Sequence, residues 1–400
     1  MRLIFINHCH PDMPHVCGLR FGRFADAMAA RGHQVVLLTE NYPRDATTVT
    51  AAQLTDGLAT HDWSTPYVLA CSLIGHENAR RAREGRLATP WRQIAIGRSY
   101  LINNGMFADW QSGAGDYLPV LASEFRPDAI WATFGNTDAW AIARALARRA
   151  GCPWVADFKD NWTAFIPPGL RNLMAHRFRD GAHMTVLSEG HCDEADPWFS
   201  VMKTVIYSGV DAIDFKPVDS AVFRITLAGS IYDRDRLTAL VSGIEKWLAS
   251  DARAKVDFRY AGNDTEMVMA ATASLDGKCR RTMLGYIDNA SLAEIQAASN
   301  VNLYVHNERC IFHHKALELV AAGRPIISYP DETRETRNVA AEVGASLFVC
   351  ADPQEVTDAL KVVAEGVLPV PAPENLKTFT WAHRAEALEA VFERVTGGWS

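Results

Sequence analysis

No Gly-x-Gly-x-x-Gly run follows an apolar strand pattern and opens a helix anywhere in these 400 residues. Gly113 and Gly115 form a Gly-x-Gly, but Ser112 to Tyr117 is a polar-aromatic stretch with no strand before it. No acidic residue stands at ribose-reading distance in a strand-helix-strand unit, so a nicotinamide or flavin enzyme is disfavoured. A Gly-x4-Gly-Lys-Ser/Thr phosphate loop, a His-Glu-x-x-His zinc motif and a Gly-x-Ser-x-Gly nucleophile elbow are also missing, which removes P-loop ATPases, zinc proteases and α/β-hydrolases. The eight cysteines, Cys9, Cys17, Cys71, Cys152, Cys192, Cys279, Cys310 and Cys350, make no Cys-x-x-Cys pair and are scattered along the chain. That is the pattern of reduced, mostly buried thiols, not of a disulfide framework. His8, Cys9, His10, His15 and Cys17 have spacings that could offer soft metal ligands. Adjacent residues in an extended segment point to opposite sides, so the segment reads as a polar loop and no metal is expected.

No uninterrupted apolar run is long enough to cross a bilayer. Met1 to Asn7 lacks the apolar core and cleavage site of a signal peptide, and a cytoplasmic location is expected. With 47 acids against 40 bases the net charge is -7, which gives no general attraction to nucleic acid. The segment Arg80 to Arg92 is rich in arginine and reads as a solvated helix and loop, with a peripheral membrane or lipid-phosphate contact as the alternative.

What is present is a strand-helix alternation that runs twice. Leu3 to Ile6, Val35 to Leu38, Ala129 to Thr133, Pro153 to Asp157, Met184 to Leu187 and Thr204 to Tyr207 read as buried strands. His8 to Gly18 reads as a loop and Phe21 to Ala30 as a helix closed by Gly32. Residues 209–219 carry glycine, two Asp-containing turns and Pro217, and read as a linker. The alternation then restarts at Phe223 to Leu227, with Val256 to Tyr260, Asn302 to Val305, Pro325 to Ser328 and Leu347 to Cys350 as strands, and it ends in a helix from about Trp381. The expected architecture is α/β, two Rossmann-like doubly wound parallel-sheet domains facing across a cleft: residues 1–208 joined by the last helix at 381–400, and residues 220–380.

Four segments carry chemistry. Lys315 to Pro325, KALELVAAGRP, has a Glu in a helix that ends in Gly-x-Pro before a strand. Leu227-Ala228-Gly229 is a strand running into glycine, followed by Ser230, Arg234 and Arg236. Ser208 to Pro217, SGVDAIDFKP, spans the linker. Ala156 to Trp162, ADFKDNW, ends a strand of the first half. Together they resemble the GT-B glycosyltransferases, in particular the large retaining family called group 1 or family 4, over nearly the whole chain.

The resemblance implies a sugar transfer from a nucleotide-diphosphate donor, UDP or GDP, to a hydroxyl of a glycan or lipid-linked saccharide, with no cofactor and no metal. It implies that the positive end of the helix after Cys310 to His314 meets the diphosphate. Glu318 would accept hydrogen bonds from the ribose diol. Gly229 would admit the phosphates, and Arg236, with Arg234 and Lys315, would neutralise the leaving group. Gly262 and Gly285-Tyr286 resemble the turns beside the nucleobase. Cys310 stands where the family has the first Glu of Glu-x7-Glu, and Glu308 lies two positions before it; Glu308 and His314 belong to the expected sugar pocket. In the first half, Gly18 with Arg20 resembles the flexible glycine loop after strand one. Asp160 and Asp157 could orient the acceptor hydroxyl or act as turn caps. Asn136, after the strand ending in Phe134, belongs to the same acceptor side. Retaining members have no obvious protein nucleophile, so positioning and charge neutralisation would do the work. Two other classes share parts of this layout: a nucleotide-sugar 2-epimerase and a non-catalytic nucleotide-sugar-binding subunit.

Overall fold

The computed structural model describes residues 1–13, 15–211, 221–250, 255–366, 368–369 and 371–397. Most of the linker, with Phe215 and Pro217, lies outside the described residues. The chain divides into two compact units, Met1–Gly209 with Trp381–Ser400, and Val210–Thr380.

The first unit is built on seven parallel strands: β1 (Arg2–Ile6), β2 (Gln34–Glu40), β3 (Tyr67–Cys71), β4 (Ala129–Phe134), β5 (Trp154–Phe158), β6 (His183–Val186) and β7 (Lys203–Val205). Their order is β3-β2-β1-β4-β5-β6-β7. Continuous apolar runs such as LIFI and AIWATF are what a parallel sheet covered on both faces requires. Alternate residues serve opposite layers. Leu3, Phe5, Ala129, Trp131 and Val155 face one core, closed by the helices Val16–Ala30 and Trp381–Gly397. Ile4, Ile6, Ile130, Ala132 and Phe134 face the other, where Trp140, Phe158, Trp162 and Phe199 form an aromatic cluster.

The last helix is bound to the first unit by apolar burial and by charge. Phe392 is fully buried with its ring 6.0 Å from that of Phe5. Glu389 accepts from Arg31 Nε at 2.8 Å and meets His33 Nε2 at 2.6 Å. A buried pair also ties the Val16–Ala30 helix to the sheet. Arg20 and Asp157, 2% and 0% exposed, meet at 3.0 Å. Arg20 also donates to Ser208 Oγ and the Ile206 carbonyl, and Thr185 Oγ1 donates to Asp157.

The second unit has six parallel strands: β8 (Phe223–Ala228), β9 (Val256–Ala261), β10 (Arg280–Gly285), β11 (Val301–Val305), β12 (Ile326–Tyr329) and β13 (Leu347–Val349), in the order β10-β9-β8-β11-β12-β13. The doubly wound fold expected from the sequence is the fold found. In each sheet the direction of winding reverses between two neighbouring strands, β1 and β4 in the first and β8 and β11 in the second. Crevices for ligands open at the carboxyl ends of strands at such reversals.

Three readings of the sequence are corrected. The first helix begins at Val16, not Phe21, because His15 caps it: its Nδ1 accepts the Cys17 N–H at 3.2 Å. Gly18 and Arg20 are therefore helical and not part of a flexible loop, and a Cβ at Gly18 would collide with the His10 carbonyl. β3 has no counterpart among the strands read from the sequence; it is an edge strand with Val68 exposed.

Phe392→Ala is expected to destabilise the first unit by about 3–5 kcal/mol, the usual cost of emptying a full aromatic site. Urea denaturation measures this, and a loss below about 1 kcal/mol would contradict the docking of the last helix described here.

Candidate functional site

The carboxyl ends of β10, β9, β8 and β11 lie in sequence along one edge of the second sheet and carry Tyr286, Gly262, Gly229 and His306 in that order. Gly229 has φ +83°, and a Cβ there would strike Lys315 Nζ. The backbone therefore passes directly over the lysine, in a left-handed conformation that favours glycine. A Cβ at Gly262 would meet the Tyr260 hydroxyl and, at 2.9 Å, the Gly229 carbonyl. Tyr260 Oη donates to that carbonyl at 2.9 Å and accepts from Asp264 N at 3.0 Å. Asp264 in turn accepts the Ile231 N–H at 2.8 Å. The turn after β8 is thus fixed by its neighbours.

The helix His314–Ala321 starts beside this turn. Lys315, its second residue, is partly buried and donates to the Ala228 carbonyl. Among the described residues it has no carboxylate within ion-pair distance. Burial lowers its pKa to about 8, against the opposing pull of Glu318 and Asp264. Glu318, one turn on, meets His314 Nε2 at 3.1 Å. Burial opposes its charge, but His314 and Lys315 prevail and hold its carboxyl below the ordinary range. Its side chain remains 28% exposed.

Buried polar atoms without partners gather at the end of β11. Tyr304 Oη, both ring nitrogens of His306 and His313 Nε2 have no hydrogen-bond partner among the described residues. The Tyr304 ring lies 6.2 Å from His306 and 5.8 Å from His313. His313 is pushed down to about 4 by burial and by Lys315, so it is neutral at physiological pH. Buried polar atoms are normally satisfied, and a group of them at a crevice marks a place for a polar ligand or water. Tyr304 and His313 were not singled out from the sequence; the aromatic and histidine pairs Tyr304/His306 and His313/His314 flanking the loop are the signal that could have found them.

The other residues predicted for this side are distributed unevenly. Arg236 reaches Glu308 at 2.7 Å and Asp233 at 3.3 Å, and donates to the His306 carbonyl at 3.3 Å. Arg236 and Glu308, predicted for different parts of the donor, are thus paired with each other at the end of β11. Arg234 is exposed at the first position of the helix Arg234–Ser250, without a side-chain contact to this group. Tyr286 is 57% exposed after β10.

In the first unit the β1/β4 reversal brings together His8, Gly135, Asn136 and Asp160. A Cβ at Gly135 would lie 2.9 Å from His8 Cε1 and 3.5 Å from Asp160 Oδ2. Asn136 caps the helix Thr137–Ala150 through Oδ1, while its Nδ2 and His8 Nδ1 have no hydrogen-bond partner among the described residues. Asp160 meets Lys159 at 3.1 Å, with its pKa raised by burial. Asp157 is corrected: its carboxylate is consumed by Arg20 and Thr185 inside the core and does not border the crevice. The arginine run is also divided. Arg83 makes a two-pronged bond to buried Asp109, 3.0 Å on each oxygen, and is structural. Trp91, Ile94 and Ile102 on the helix Trp91–Asn103 are 66%, 55% and 62% exposed beside exposed Arg92 and Arg98. No helix among the described residues is long and apolar enough to cross a membrane.

No protein-family profile and no curated protein matches this chain. Solved structures do match over its full length. A glycosyltransferase from Rickettsia africae aligns with 98% of each chain, at 12% identity and a TM-score of 0.62. HepE from Anabaena, solved with UDP and glucose, covers 100% of this chain and 97% of its own, at 14% identity and a TM-score of 0.57. A Listeria monocytogenes protein assigned as a UDP-N-acetylglucosamine 2-epimerase covers 98% and 96%, at 10% identity and a TM-score of 0.53. The chain has the two Rossmann-like domains of GT-B glycosyltransferase structures.

A diphosphate bound at Gly229 would stabilise the charged form of Lys315. Nucleoside diphosphate affinity is therefore expected to be full below pH about 8 and to fall above it. The loss approaches about tenfold for each pH unit beyond that point. Calorimetry with UDP and GDP between pH 7 and 9.5 checks this. Lys315→Met should weaken binding and abolish the pH dependence; an unchanged profile in that variant would refute the assignment.

Proposed function

We propose that this protein is a glycosyltransferase that moves a sugar from a nucleotide-diphosphate donor, UDP or GDP, to a hydroxyl of a glycan or lipid-linked saccharide. The observation that carries the reading is the meeting of Gly229, Lys315 and the start of the helix His314–Ala321 at the β8/β11 reversal, beside the unpartnered Tyr304, His306 and His313. A backbone passing over an ammonium that lacks a carboxylate, next to a helix amino end, suits a pyrophosphate. In this reading Lys315 and Arg236 neutralise the departing diphosphate, and Glu318 holds the ribose. Arg236 must exchange its bond with Glu308 for the phosphate, which frees Glu308 for the sugar hydroxyls. Transfer proceeds with retention, the leaving phosphate accepting the acceptor's proton, and no metal is required because the cations are side chains. Asp160 and Asn136 serve the acceptor side of the first unit.

Exposed Trp91, Ile94 and Ile102 beside Arg92 and Arg98 support peripheral contact with an anionic membrane, where a lipid-linked acceptor would be met. The epimerase reading has the weaker structural likeness. It also needs acid-base carboxylates, and Asp157 is withdrawn into the core.

Incubation with UDP-, GDP- and TDP-sugars, read by mass spectrometry, tests the proposal. Released nucleotide with an unaltered sugar, or a glycosylated acceptor, is expected; free UDP with an epimerised sugar would contradict it. Glu318→Ala should weaken donor binding by about 2–3 kcal/mol. Arg236→Ala should depress turnover more than binding, and equal losses in both would remove Arg236 from the leaving-group role. Trp91→Ser with Ile94→Ser should reduce co-sedimentation with phosphatidylglycerol vesicles and leave donor binding unchanged.

A further inference from the structure

The crevice of the first unit holds a group of side chains that the transfer reaction does not use. Cys9 Sγ, His15 Nδ1 and Cys17 Sγ lie within 4.8 Å of one another, where the chain leaves β1 and enters the Val16–Ala30 helix. Lys159, at the end of β5, places Nζ 2.7 Å from Cys17 Sγ. His8 Nε2 is 3.3 Å from Cys9 Sγ.

We propose that Cys17 is a hydroperoxide-reactive thiolate whose sulfenic acid is captured by Cys9, so that this segment carries a reversible disulfide.

The charges favour an oxidation site over a metal site. An ammonium 2.7 Å from sulfur is the arrangement of a thiolate ion pair, and it would repel an incoming cation. The His15 Nδ1 lone pair already accepts the Cys17 N–H that caps the helix, so ligation through that atom would cost the cap. The Cys17 thiol is held well below its ordinary range, first by its bond with Cys9 and then by Lys159, against the opposing effect of burial. Cys9 is pushed the other way, first by its bond with Cys17, and is the thiol of the pair until Cys17 is oxidised and that bond is lost. The remaining buried thiols are inert by comparison: burial pushes Cys152 up to about 12 and Cys350 up to about 11, and raises Cys71 further. Cys17 is 5% and Cys9 3% exposed, but His15 beside them is exposed and the Asp160 side chain is 26% exposed, so the pair lies one side chain below solvent.

The chemistry balances with a hydroperoxide as the oxidant. The Cys17 thiolate attacks the terminal peroxide oxygen, the O–O bond breaks, and the departing alkoxide or hydroxide takes a proton from water. Cys9 then gives up its proton as its sulfur attacks the Cys17 sulfenic acid, the S–S bond forms, the S–O bond breaks, and the hydroxyl leaves with that proton as water. Two thiols are oxidised and one peroxide is reduced to an alcohol, or to water when it is hydrogen peroxide.

The test uses the reduced full-length protein with about one equivalent of hydrogen peroxide, quenched with N-ethylmaleimide and read by intact mass and peptide mapping. The expected product is a Cys9–Cys17 disulfide, about 2 Da lighter and restored by dithiothreitol, with Cys71, Cys152 and Cys350 still reduced. Cys9→Ser should leave a Cys17 sulfenic acid that dimedone traps. Lys159→Gln should slow Cys17 oxidation at neutral pH by about tenfold, with Lys159→Arg restoring it. Thiolate absorbance near 240 nm, present at pH 7 and lost in Cys17→Ser, reads the same ion pair without the lysine variants. Oxidation spread over the other cysteines, a Cys17–Lys159 cross-link in place of the disulfide, or stoichiometric zinc retained by the fresh protein and lost in Cys9→Ser would each overturn the proposal. None of these readouts depends on sugar transfer.

Discussion

The ammonium of Lys315, drawn against the Ala228 carbonyl beneath Gly229, is the constraint on which the proposed donor site depends. A cation partly withdrawn from water, with a carbonyl and, at 5.8 Å, the Tyr304 ring beside it, is costly, and that cost appears as a pKa lowered by burial to about 8. In the proposed function this is where the charge of the diphosphate would be met. Gly229 holds a φ of +83° that a side chain would strain, Tyr260 and Gly262 brace the turn, and the helix His314–Ala321 presents its amino end to the same place. His306, His313 and Tyr304 extend that demand for partners along β11.

The first unit obeys the same topology but spends its charge differently. Its reversal lies between β1 and β4, and His8, Gly135, Asn136 and Asp160 gather there. Its most deeply buried charge pair among the described residues, Arg20 with Asp157, lies inside the core and joins the first helix, β5, β6 and the segment after β7. Removing either member would leave an uncompensated buried charge, costing about 3–5 kcal/mol. A second cation, Lys159, is set against sulfur and Asp160 instead.

Much of this was legible in the sequence. β1 and β4 are buried on both faces and read as plain apolar runs, and β8 and β11 as runs interrupted by Arg224, Thr226 and Asn302; the edge strand β3, YVLAC, is as apolar as these although Val68 is exposed. The first helix was misplaced because its cap is a histidine, which is not a residue type that announces a helix start. In the second unit, Gly229 and Lys315 were both named from sequence, and the fold brings them into contact. Their neighbours were harder to see. Whether Asp157 or Asp160 borders the crevice depends on strand alternation and on an arginine 137 positions away in the chain. The pairing of Arg236 with Glu308, and the emptiness around His306 and His313, exist only in three dimensions. The metal-like spacing of Cys9, His15 and Cys17 gave no hint of Lys159, which approaches from another strand and changes what the sulfurs can do.

A crystal structure of the protein with a bound nucleoside diphosphate tests the central claim most directly. The account requires the terminal phosphate within hydrogen-bonding distance, about 2.7–3.2 Å, of Lys315 Nζ and of the backbone N–H groups opening the helix His314–Ala321. A diphosphate seated elsewhere, with Lys315 still bonded only to Ala228, would contradict it.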